Sequence, residues 1–204
     1  MAPSTIVLVT RIFICVCWAA FFVPFMFPKK VKTGDSATAS RAPASRVGIA
    51  VQGAAFFLIW FFNTAAVPWA VLVLPVPVVW VLCIASMALA AASYWMAVAA
   101  IRTLGKQWSL QARLIEGHRL VVEGPYSHVR HPIYTAMLGM LIAAGIAFSV
   151  WWALLAGLAI YCVGTAIRVK AEERLLAEAF GDDFEAYRRY VPAVIPRWKA
   201  TGGV

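Results

Sequence analysis

Between Val47 and Ile101 the chain carries no charged side chain, and a second such run extends from Ile133 to Ile167. A helix needs about 20 predominantly apolar residues to cross a bilayer, so both runs are long enough to do so. The first suits two helices. Asn63-Thr64 and the prolines Pro68, Pro75 and Pro77 supply the break, because proline removes a backbone donor and ends helices. This places spans near Val47–Phe62 and Val78–Ile101. Val67–Leu74, among those prolines, is open to either a surface or a re-entrant path. The second run crosses twice as a tight hairpin turning near Phe148–Ser149. An earlier apolar segment, about Ser4 to Phe27, stops at Pro28-Lys29-Lys30 and makes the first of about five transmembrane helices. Arg11 interrupts it and no small-residue cleavage site follows before Lys29, so it reads as a retained helix and not a removed signal peptide. Composition agrees: 63% of residues are hydrophobic and 13% charged, where a soluble domain carries about 25% charged residues. The expected fold class is an all-α polytopic integral membrane protein.

The formal net charge of +9 does not point to nucleic acid, because the basic residues lie between the apolar spans. Five spans put the polar loop Val31–Arg46, the polar stretch Arg102–Pro132 and the C-terminal tail on one side. Every Lys and Arg except Arg11 then falls on or at the edge of that side. By the positive-inside rule that side is cytoplasmic, with the N-terminus outside and the C-terminus inside. Cys15, Cys17, Cys83 and Cys162 all lie in apolar stretches, without metal-ligand spacing or a secreted disulfide pattern. No metal site is expected. The chain divides at the polar stretch into a three-span region, residues 1–101, and a region of residues 102–204 that holds a two-helix hairpin and the tail.

Two polar clusters stand where helices meet the cytoplasmic side. The first is Gly124-Pro125-Tyr126-Ser127-His128-Val129-Arg130-His131-Pro132-Ile133-Tyr134. Gly124-Pro125 signals a turn, and Pro132 suits an early helical position where its missing donor costs nothing. Arg130 and His131 then stand at a helix N-terminus, where free N–H groups and the macrodipole favour an anion. Tyr126 taken alone fits an aromatic belt residue. The second cluster is Arg168-Val169-Lys170-Ala171-Glu172-Glu173, followed by Phe180-Gly181 and Tyr187. Arg168 and Glu172, four residues apart, share a helix face. Glu172 and Glu173 diverge by about 100° around the helix, so both reach one ligand only through a wide pocket mouth. A solvated helix with ordinary ion pairs is the plain alternative. Against it, Arg168 directly follows a charge-free run, and ionisable groups at membrane depth are costly and often functional. His118, in the polar stretch, reads as a surface residue. A helix from Arg168 to Phe180, punctuated at Gly181 and continued over Asp182–Tyr190, is expected to end at Pro192 and Pro196.

The combination of Leu120-Val121-Val122-Glu123-Gly124-Pro125-Tyr126, Arg130-His131-Pro132-Ile133-Tyr134, Glu172-Glu173, Leu176, Phe180-Gly181, Tyr187, Val191-Pro192 and Pro196 resembles the isoprenylcysteine carboxyl methyltransferase family and its phospholipid methyltransferase relatives. The resemblance covers roughly Ser93 to Pro196. It implies S-adenosylmethionine as cofactor and S-adenosylhomocysteine as product. It also implies a cytosolic C-terminal cofactor-binding segment and a lipophilic or prenylated acceptor entering laterally from the membrane lipid. By similarity, His131, Glu172 and Glu173 belong to the cofactor site with Arg130 and Pro132, and Tyr126, His128, Val129, Tyr134 and Tyr187 are further pocket members. Arg130 and Arg168 are the candidates for holding an acceptor carboxylate. In this reading residues 1–101 form the acceptor and lipid side. The chain is shorter than the animal enzymes, and its first 90 or so residues match no acceptor-binding pattern.

Methyl transfer from a sulfonium depends more on positioning than on acid–base power, and an arginine fork aligns an ionised carboxylate. A nitrogen acceptor would instead require a base, a part open to His128 or His131. Two other readings compete. A sterol or isoprenoid reductase using NADPH shares an Arg-His-Pro-x-Tyr segment, but here Thr135-Ala136-Met137-Leu138 follows it and the glutamate pair favours a methyl donor. A transporter or scaffold calls for ionisable residues in mid-span, and Arg11 alone is present.

Overall fold

Every backbone N–H and C=O inside hydrocarbon needs an internal partner, which a helix provides within its own segment. The computed structural model describes residues 3–26, 44–63, 74–108 and 119–196, and these form helices and turns with no strand among the described residues. The helices are α1 (Pro3–Met26), α2 (Ala44–Phe61), α3 (Val76–Leu104), α4 (Pro132–Phe148) and α5 (Trp151–Tyr190). Four of them, α1, α2, α3 and α5, are long and apolar enough to cross a membrane, and α4 is a shorter apolar helix of 17 residues. The chain is thus an all-α polytopic membrane protein. Loop Val31–Arg46 (apart from its last three residues), Val67–Leu74 (apart from Leu74) and His118 lie outside the described residues.

The helix boundaries follow from local chemistry. Prolines sit in the first turn of α3 and α4, where a missing N–H is harmless. The hairpin turns at Ser149–Val150, as the uncharged run implied. The charged stretch after Arg168 is not a separate helix. It is the continuation of the membrane helix, so α5 spans 40 residues, broken only by a kink at Gly181. There the backbone takes φ +48°, a left-handed conformation that glycine adopts without a Cβ penalty. The kink redirects Asp182–Tyr190 and buries Phe184 completely.

Lipid tails are as apolar as leucine, so helices associate here through close packing and not through exclusion of water. The most extensive contact joins α2 and α5, antiparallel, through small residues. An added Cβ on Gly164 would lie 2.9 Å from Gln52 N and 3.0 Å from Gly48 O, both backbone atoms. One on Gly48 would lie 2.4 Å from Cγ of Arg168. On the other side α3 and α4 pack antiparallel, with Ser86 Oγ donating to Ala143 O at 2.8 Å.

At about 1.5 Å per residue α4 spans about 25 Å, less than the roughly 30 Å of a hydrocarbon core. Its C-terminal carbonyls would therefore end below the surface. Arg11, the lone charge of α1, meets them: its Nε donates to Ala147 O at 3.0 Å and its guanidinium lies 5.4 Å from the Phe148 ring centroid. A cation at that end also complements the helix dipole.

The α2–α5 contact makes a stability prediction. Gly164→Leu should lower the detergent-solubilised protein's unfolding temperature clearly, because overpacking against backbone costs about 1–3 kcal/mol. Gly53→Ala, where the new Cβ meets nothing within 4 Å, should leave that temperature unchanged or slightly higher. Equal transitions in both variants would contradict the close approach of the two helices.

Candidate functional site

The two polar clusters are brought together where α4 begins and α5 passes from apolar to charged sequence. His131, the residue capping α4, is 7% exposed. Its Nδ1 lies 3.3 Å from Oε2 of Glu172 and its Nε2 3.2 Å from Oε1 of Glu173. Neighbouring helical residues diverge, yet both carboxylates are engaged at once because one planar ring offers a nitrogen on each edge. No wide mouth is needed. Arg130 clasps Glu173 from the other side, through Nε at 2.8 Å and Nη2 at 2.7 Å. The Tyr134 hydroxyl donates to Glu172.

Arg168 is buried on the same face of α5 and approaches Glu172 at 3.6 Å. Its guanidinium lies over the Tyr134 ring, 4.6 Å from the centroid, within cation–π range. Tyr134 also stacks on His131, with planes 9° apart. The ring thus lies against both an imidazole and a guanidinium while its hydroxyl reaches a carboxylate. Tyr161, fully buried on α5, donates to the Tyr134 carbonyl at 2.7 Å and ties the first turn of α4 down.

The helix mouth differs from the open anion site that its sequence implied. The N–H groups of Arg130 and His131 donate to Pro192 O and Ala193 O of the tail, both at 2.9 Å. Thr135 Oγ1 donates to Val194 O, and Nη1 of Arg130 donates to Arg188 O and Val191 O. The kink at Gly181 and the prolines beyond α5 return the tail to this position. Tyr187 Oη then donates to Tyr126 O at 2.6 Å. The tail carbonyls therefore occupy donors that a free anion would have used.

The remaining site residues named from sequence are distributed as follows. Tyr126 and Val129 are buried in the short turn before α4, and Pro132 is buried in its first turn. His128 is exposed, with Nδ1 2.9 Å from Ser127 Oγ, and makes no contact with the acidic pair. Sequence reasoning missed Gln52 of α2, whose amide oxygen accepts from Nη1 of Arg168 at 3.1 Å. A lone amide within a charge-free span was the available signal. Among the described residues no group of three or more His, Cys, Asp and Glu is placed to hold a metal ion.

Burial works against a charge on His131, but hydrogen bonds to Glu172 and Glu173 and their negative charges outweigh it. The net effect raises its pKa above the ordinary value. Burial also pushes the Tyr126 hydroxyl up, helped by the charge of Glu172, so it stays protonated.

Residues 83–178 match the Isoprenylcysteine carboxyl methyltransferase (ICMT) family. The match begins before the resemblance read from Ser93 to Pro196 and ends short of it, so Phe180, Gly181, Tyr187, Pro192 and Pro196 lie beyond the matched residues. Similar proteins include the Cobalt-zinc-cadmium resistance protein CzcN of Cupriavidus metallidurans, 36% identical over 48% of this chain and 45% of its own length. The Nickel-cobalt-cadmium resistance protein NccN of Alcaligenes xylosoxydans xylosoxydans is 33% identical over 47% of this chain and 45% of its own length. The Protein-S-isoprenylcysteine O-methyltransferase of Schizosaccharomyces pombe is 32% identical over 39% of this chain and 34% of its own length. The chain therefore covers less than half the length of each of these relatives.

The raised pKa of His131 has a defined consequence for stability. A group whose folded value lies above its unfolded value of about 6.5 stabilises fully below that value and loses its contribution as pH rises through the folded value. Thermal stability in detergent should therefore decline as pH increases above about 6.5, and His131→Gln should flatten the decline. A slope unchanged by the substitution would assign the pH dependence to other groups.

Proposed function

We propose that this chain is an S-adenosylmethionine-dependent methyltransferase acting on a lipophilic, isoprenoid or prenylcysteine-like carboxylate at the membrane–cytosol interface. The match of residues 83–178 to the ICMT family supports a membrane methyltransferase. The O-methyltransferase activity for which the Schizosaccharomyces pombe relative is named supports the carboxylate acceptor. The observation that carries the reading is the meeting of His131, Glu172 and Glu173 beside Arg168, at the apolar-to-charged junction of α5. The distribution of Lys and Arg supports an N-terminus outside and the cluster on the cytoplasmic side, in the inner membrane if the source is bacterial.

The side chains present fit such a cofactor. Glu172, with 22% of its side chain exposed, keeps acceptor capacity for an ammonium or ribose hydroxyls. His131 and Arg130 hold the two acids rigid. Tyr126, Val129, Pro132, Tyr134 and Tyr187 would border the same pocket, whereas His128, exposed on the turn before α4, would meet the cofactor only from its solvent side. S-adenosylmethionine, when bound, supplies an electrophilic methyl group on a sulfonium. The protein's part is to align an already nucleophilic oxygen with it and to exclude water. Arg168 is the better placed of the two arginines for the acceptor, since Arg130 already spends its donors on Glu173 and the tail carbonyls.

Charge separates the two methyl-acceptor classes. Arg130 and Arg168 stand beside the acidic pair, and both ring nitrogens of His131 face a carboxylate. A guanidinium at the site favours an anionic carboxylate over the amine of a phospholipid N-methyltransferase. A reductase is the weaker alternative, because the glutamate pair has no part in hydride transfer. The metal-resistance names of two relatives add no acceptor chemistry to this cluster.

Calorimetry with S-adenosylhomocysteine should show binding by the purified protein, weakened by Glu172→Gln and by His131→Ala. Unchanged affinity in both variants would remove the cofactor assignment. Arg168→Lys should impair turnover more than cofactor binding, because lysine cannot reproduce a bidentate fork. Methyl label released from the product by mild base marks an ester, whereas base-stable label would favour the amine reading.

A further inference from the structure

Gln52 is 2% exposed and lies in α2, outside the region matched to the family. Its amide is held at both ends. Nε2 donates to Thr165 Oγ1 at 2.8 Å, and Oε1 accepts from Nη1 of Arg168 at 3.1 Å. A guanidinium only donates, so the amide oxygen is the end that must face it. Thr165 and Arg168 are three residues apart on α5, so the amide bridges adjacent positions of one helix face. The approach that permits this is set by the glycines. Gly164 leaves room for the Gln52 backbone, and Gly48 leaves room for the Arg168 side chain. On its other side Arg168 faces Tyr134 and Glu172.

We infer that Gln52 is a positioning residue: it aims the Arg168 guanidinium along the Tyr134 ring and so sets how well the site takes an anionic acceptor. A burying environment strengthens each of these hydrogen bonds, since little water competes for them. A neutral amide holds the guanidinium in place without cancelling its charge. A carboxylate at position 52 would hold it more strongly and use up the charge meant for the acceptor. The N-terminal helices thereby take part in acceptor selection without touching the methyl donor. This inference rests on the proposed methyl-transfer reading.

The test compares wild type, Gln52→Leu, Gln52→Glu and Arg168→Lys in detergent micelles, with N-acetyl-S-farnesylcysteine as the acceptor probe. Both position-52 variants should raise the acceptor KM by roughly tenfold, the scale of a buried hydrogen bond to a charged group. Their affinity for S-adenosylhomocysteine by calorimetry should match the wild type. Gln52→Glu, nearly isosteric, keeps the test open if Gln52→Leu proves unstable. The double variant Gln52→Leu/Arg168→Lys should be no worse than Arg168→Lys alone, since coupled residues are not additive. Additive losses, a fall in cofactor affinity equal to that in turnover, or an unchanged acceptor KM would overturn the role of Gln52. A wild type that binds no S-adenosylhomocysteine and transfers no methyl group would instead overturn the proposed function, and this inference with it.

Discussion

One imidazole that bridges two consecutive glutamates is the contact on which the rest of this site depends. Glu172 and Glu173 leave α5 in different directions, and His131 engages one with each ring nitrogen. The register between α4 and α5 is thereby set at their charged ends. Burial of three ionisable groups this close would be prohibitive without neutralisation. Arg130 and Arg168 provide it, and Tyr134 adds a hydroxyl to Glu172 and an aromatic face to Arg168. A half-satisfied version of this network would cost more than an apolar core. The group is therefore best regarded as one unit.

That unit is held from three directions. From within the bilayer, Tyr161 fixes the first turn of α4 and Gln52 fixes Arg168. From the polar side, the tail beyond the Gly181 kink folds back, and its carbonyls take the N–H groups of Arg130 and His131. From the far end, Arg11 anchors α1 to the last carbonyls of α4, so the short helix is tied at both termini. Side chains locked in this way suit a reaction that depends on alignment more than on proton transfer.

The match to the ICMT family takes in α4 and α5 as far as residue 178, but α2, which packs most extensively on α5, lies outside it. A division at residue 101 is therefore a proposal about roles and not a boundary in packing. The glycines Gly48, Gly157 and Gly164 allow α2 to approach α5 closely enough for an amide to reach a guanidinium.

The charge-free runs were enough to define the helices, because hydrocarbon admits no unpaired backbone and leaves few alternatives to a span. The hairpin turn at Ser149, the break at Gly181 and the two polar clusters were legible for the same local reasons: proline, glycine and charge act on their immediate neighbours. Sequence could not show that the helix mouth at Arg130 and His131 is closed by tail carbonyls, since that depends on where residues 192–194 return. Nor could it show that one ring would satisfy two diverging glutamates, or that Gln52 would meet Arg168. Those facts are contacts between residues tens of positions apart. Periodicity and propensity describe each helix along its own axis, while the packing of small residues decides which faces meet.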